Sequence, residues 1–91
     1  MAELRIAVSE LDTKEHIHDL MTCLLDVPSY YGRNFDALYD VLGDIQEETD
    51  IRIDYEGKKI PELPSITRVC LRVFFDAARE NPHLHVENAE E

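Results

Sequence analysis

The sequence predicts a small α/β domain, a three-stranded parallel sheet with helices packed mainly on one face. Three observations carry this. Three short segments alternate apolar and polar residues, at 4–8, 51–55 and 84–86. Stretches of helical apolar spacing separate them, and a crossover connection through a helix makes neighbouring strands parallel. The strands alternate rather than running continuously apolar, so one sheet face is buried and the other is not. That other face would carry Arg5, Arg52, Asp54, His83 and His85. The chain has 91 residues, which fits one domain over residues 1–91 with one modest core.

Each element has its own signal. Leu4, Ile6 and Val8 form the apolar face of the first strand. Asp12 and Glu15 have the spacing of a capping box, which starts a helix near Thr13. Ile17, Leu20, Met21 and Leu24 give that helix its apolar stripe, and Pro28 stops it. Residues 28–32 are a turn rich in tyrosine. Asn34 is a good N-cap for a second helix, with Phe35, Leu38, Val41 and Leu42 inward. Asp36, Tyr39, Asp40 and Gly43 share another face, and Gly43 can end the helix. Ile51, Ile53 and Tyr55 mark the second strand. Residues 56–64 read as loop. Ser65 is the expected cap of a long third helix with Ile66, Val69, Cys70, Val73, Phe74 and Ala77 inward, ending at Asn81 and Pro82. Leu84 and Val86 mark the third strand, and residues 86–91 read as a frayed acidic tail.

Composition excludes several functions. The chain carries 20 Asp and Glu against 9 Lys and Arg, a net charge of -11. That argues against nucleic acid, whose phosphates need clustered Lys and Arg, and against anionic membrane surfaces. At 44% hydrophobic residues it is not a disordered acidic tail. Neither a signal peptide nor a membrane span is visible. Cys23 and Cys70 both lie in apolar surroundings and read as buried thiols. Together these features point to a cytoplasmic protein.

The acidity is concentrated. Residues 36–56 hold eight carboxylates (Asp36, Asp40, Asp44, Glu47, Glu48, Asp50, Asp54, Glu56) against Arg52, a net of -7. Asp36 and Asp40 are four apart on one helix face, where like charges repel. A cationic partner would relieve that repulsion, and Tyr30, Tyr31 and Tyr39 beside them are of an interface-enriched type. A solvated helix face with tyrosines at its edge has the same composition. Lys58, Lys59, Arg68 and Arg72 read as the balance to this segment.

Catalytic and metal chemistry find little support. His16 and His18 are two apart on a helix and point about 200° apart. His83 and His85 share a strand face near Asp54 and could hold a metal, but surface histidines look the same. A Cys with a His, or Asp36 with Asp40, could in principle form a nucleophilic or acid–base pair. No third orienting group and no phosphate-cradling loop accompany them. The reading is a non-enzyme without metal or cofactor.

The run at 28–42, Pro-Ser-Tyr-Tyr-Gly-Arg-Asn-Phe-Asp-Ala-Leu-Tyr-Asp-Val-Leu, resembles the signature of the barstar family, small intracellular inhibitors of secreted bacterial ribonucleases. Length, acidity and element order resemble that family over nearly the whole chain. The resemblance implies a partner-binding set of Tyr30, Asp36, Tyr39, Asp40, Gly43 and Asp44, with Asp76 as a peripheral contact. Asp40 would fill the enzyme's phosphate pocket, Asp36 would pair with a cleft arginine, and Tyr30 would stack on the catalytic histidine. The partner implied is a basic ribonuclease, barnase-like or another secreted nuclease toxin, bound by an inhibitor that is monomeric when free. Three features depart from the pattern: Gly43 comes one residue early, 56–64 is short, and Arg33 adds a base to the binding turn. The alternative is an acidic interaction or immunity module for a different basic protein.

Overall fold

The computed structural model describes residues 2–89. β1 (Ala2–Ala7), β2 (Thr49–Asp54) and β3 (Leu84–Asn88) form one parallel sheet with β2 in the middle. Ile51 lies between Leu4 and Val86, and Ile6 beside Ile53, so the apolar residues of all three strands share a face. α1 (Lys14–Leu24) and α2 (Phe35–Gly43) fill the first crossover, and α3 (Ser65–Glu80) fills the second. From the sheet, Ile6, Ile51, Ile53 and Leu84 meet Ile17 and Met21 of α1, Leu38 and Leu42 of α2, and Cys70 and Phe74 of α3 in one buried core. Full burial of an aliphatic or aromatic side chain contributes about 1.5–3 kcal/mol.

The opposite sheet face is polar, as the alternation requires, and it is internally paired. Arg5 lies 3.8 Å from Asp54, and Arg52 lies 3.3 Å from Glu3 and 3.2 Å from Asp50. His85 belongs to this face, whereas His83 stands in the turn before β3.

Several local expectations are corrected. Thr13 caps α1, its hydroxyl accepting from the His16 N–H at 3.1 Å. Asp12 instead meets the His16 ring at 2.6 Å. Pro64 holds the cap position of α3 without a side-chain bond, and Ser65 is the first helical residue. Val69 is exposed, and Thr67 and Leu71 are buried in its place. The buried set 67, 70, 71, 74 and 77 follows the helical period, and Val69 falls off that stripe. Thr67 is held inside because its hydroxyl donates to the Leu11 carbonyl at 2.6 Å.

Cys23 is exposed while Cys70 is buried. The segment 86–89 is not frayed: β3 runs to Asn88, and the Ala89 N–H donates to the Ile53 carbonyl at 2.9 Å. The last two residues of the expected tail lie outside the described residues. Within 56–64, read as loop, there is a 3-10 turn, Ile60–Glu62.

Candidate functional site

The candidate site is α2 with the turn that leads into it. The Tyr31 N–H donates to the Pro28 carbonyl at 3.0 Å, closing a four-residue turn. Tyr30 is a central residue of that turn and is 86% exposed. Asn34 then starts the helix, its side-chain oxygen accepting from the Ala37 N–H at 2.7 Å. Leu38 and Leu42 bury the inner face of α2, which fixes the opposite face outward. Asp36, Tyr39, Asp40, Gly43 and Asp44 are all exposed on it. Asp36 lies in the first turn, where the helix dipole favours a carboxylate.

Tyr30, Asp40 and Asp44 line one groove of about 1060 Å³, whose apolar side includes Leu24, Val41 and Ile45. Asp36 stands one helical turn before Asp40, outside the groove lining. Among the described residues, the side chains of Asp36, Asp40 and Asp44 form no hydrogen bond and no ion pair. These carboxylates are therefore available to an external cation. A side chain added at Gly43 would meet nothing within 4 Å, so this position is open helix surface. Gly43 is helical and the cap residue is Asp44 in ordinary right-handed geometry, so the helix end does not require the glycine.

Asp76 lies apart from this groove. It is on α3, 2.6 Å from Arg79, and lines a second groove that shares no residue with the first.

α1 supports the tyrosine turn from behind. His18 is buried, and its Nδ1 is 2.6 Å from the Tyr31 hydroxyl. Its ring lies edge-on to Tyr31 at 5.5 Å and tilted to Phe35 at 5.9 Å. Burial first, and then the charges of Arg33 and Lys14, hold the His18 pKa below its ordinary value. Burial likewise raises the Tyr31 pKa. Arg33 adopts a left-handed backbone (φ 54°), and its guanidinium lies 2.6 Å from Asp19. The base added to the turn is thus neutralised by α1.

Asn81 fixes the far end of α2. Its buried amide donates to the Leu42 and Ile45 carbonyls, each at 2.9 Å. Its side-chain oxygen accepts from the His83 N–H at 3.0 Å. Sequence reasoning used Asn81 only as a helix stop; a buried amide bridging distant carbonyls leaves no periodic signal.

The other candidates separate in space. His16 and His18 do point apart, one exposed and one buried. His83 and His85 meet Glu48 rather than Asp54, at 2.8 and 3.0 Å. Those two hydrogen bonds, His83 first, lower the Glu48 pKa. Among the described residues, no group of three or more His, Cys, Asp or Glu is arranged to hold a metal ion. Burial pushes the Cys70 thiol up to about 12, which makes it a poor nucleophile. No helix among the described residues is long and apolar enough to cross a membrane.

A search of curated proteins gave no match to this chain. A family model described as Barstar (barnase inhibitor) matches residues 1–87. An exposed, unpaired acidic helix on a three-stranded parallel α/β scaffold, together with that match over nearly the whole length, establishes that the chain belongs to the barstar family.

Proposed function

We propose that this protein inhibits a secreted ribonuclease by covering its cationic active site with α2 and the tyrosine turn. The observation that carries this reading is the pair Asp36 and Asp40, exposed, without partners and one turn apart on a capped helix. A ribonuclease cleft is cationic because it binds RNA phosphates. Two carboxylates on a rigid helix imitate successive phosphates and offer no scissile bond. Asp40 would occupy the phosphate pocket and Asp36 would pair with a neighbouring arginine. Tyr30, held outward by its turn, would stack on the catalytic histidine. Tyr39, Gly43 and Asp44 would flank this centre, and Asp76 would touch the enzyme only at the periphery. The inhibitor would act as a monomer in the cytoplasm of the cell that makes the enzyme, as an immunity protein does.

The test is RNA cleavage by a barnase-type ribonuclease, and by any nuclease encoded beside this protein, titrated with the inhibitor. Stoichiometric loss of cleavage is expected. Full cleavage by both enzymes at excess inhibitor would sink the reading and leave a different basic protein as the partner of this face.

A further inference from the structure

The arginines of this chain divide into two groups. Arg5, Arg33, Arg52 and Arg79 each meet a carboxylate. Arg68 and Arg72 meet none among the described residues, although the chain holds 20 carboxylates. Their charge therefore does not balance the acidic segment through any contact. They are exposed and four apart on α3, where like charges repel.

The surface beside them is apolar. Phe75 is 39% exposed and Ile60 51% exposed. With Leu71 they supply the apolar lining of a groove of about 580 Å³, and Arg68, Arg72 and Arg79 supply its charge. The acid lining it, Asp76, is already engaged by Arg79. Unneutralised guanidinium groups and exposed apolar side chains thus coincide on one face.

We infer that this groove docks an acidic segment of a partner protein, with two carboxylates on Arg68 and Arg72 and one apolar side chain against Phe75 and Ile60. Guanidinium groups pair bidentately with carboxylates. The two arginines are about 6 Å apart along the helix axis. Alternate residues of an extended chain repeat at nearly that distance, about 6.6 Å. An extended segment with two acids and then an apolar residue at alternate positions therefore matches the groove. A nucleic acid matches it less well. Its sugar–phosphate backbone offers nothing to the apolar lining of Phe75 and Ile60. This partner is opposite in charge to the one read for α2, and the inference does not depend on ribonuclease binding.

The probe is a fluorescein-labelled peptide, Gly-Ser-Asp-Ser-Asp-Ser-Leu-Ser-Gly, titrated with the full chain and followed by anisotropy and by amide chemical shifts. Binding with shifts centred on Arg68, Arg72 and Phe75 is expected. The variant with both Arg68→Glu and Arg72→Glu, whose fold is checked by circular dichroism, should bind at least about tenfold more weakly. A peptide with Asn for both Asp should not bind. The inference is overturned by no binding at about 1 mM, by binding that the double variant leaves unchanged, or by tighter binding of oligouridylate than of the peptide.

Discussion

His18 shows how a buried titratable group comes to lie behind the exposed tyrosine turn. Its Nδ1 is satisfied by the Tyr31 hydroxyl, and its buried Nε2 has no partner among the described residues. Burial is the largest cause that opposes its charging; Arg33 and Lys14 oppose it too, and Asp19 favours it. The folded pKa is lowered, so the unfolded chain takes up the proton first. His18 therefore leaves stability intact above its ordinary value of 6.5 and lowers it as pH falls below 6.5 toward the folded pKa. Denaturant titrations between pH 7.5 and 5, pH values chosen about one unit or more either side of an ordinary histidine, should show this loss. His18→Gln should flatten that part of the profile, and an unchanged slope would assign the loss to other groups. The cysteines give a second check at this scale. Native-state alkylation should modify the exposed Cys23 and spare Cys70, with mass spectrometry counting one adduct until denaturant is added. The apolar neighbours of both residues in the sequence suggested burial. Only the packing of α1 shows that position 23 faces outward.

At the scale of elements, both ends of α2 are fixed, which suits the helix to the proposed contact. Asn34 satisfies the first turn and Asn81 satisfies carbonyls at the last. Asn34→Ala should cost about 1 kcal/mol of stability in urea unfolding. A variant as stable as the original would mean the cap contributes nothing. The N-cap of α2, the inward Leu38 and Leu42 and the acidic face were legible because a helix imposes its period on the sequence, whereas Val41, also expected inward, lines the groove beside Asp40. Strand faces were legible for the same reason. The cap of α1 was displaced by one residue because Asp12 and Thr13 are both good caps, and only the backbone decides between them. Residues 86–91 were expected to form a frayed acidic tail, but β3 extends through Asn88 by pairing with β2, and the Ala89 N–H bonds to Ile53. The support from His18, Asp19 and Asn81 was not legible, since it joins residues distant in sequence.

Across the whole molecule, charge is sorted by surface. Among the described residues, the sheet face pairs its own ions, α2 leaves carboxylates unpaired, and α3 leaves two arginines unpaired. A net charge of -11 should steer the protein toward a cationic enzyme. The association rate should therefore fall steeply as salt rises past about 0.15 M, where the screening length is about 8 Å, while dissociation changes little. Stopped-flow mixing at several salt concentrations checks this, and a salt-independent association rate would remove electrostatic steering from the account.

If the α2 carboxylates make the inhibitory contact, replacing Asp40 with alanine should break it. Asp40 repels Asp36, so the free variant should be as stable as the original or more so by a few tenths of a kcal/mol. Any loss of binding then belongs to the interface. Charge pairs in this family's own complex with its ribonuclease are the standing example of strong coupling, and the magnitude comes from that example. The measurement is the dissociation constant of Asp40→Ala with the ribonuclease that the protein inhibits. Asp40→Ala should lose about 2–5 kcal/mol of binding energy or more, mainly through faster dissociation. An affinity equal to that of the original protein would contradict it.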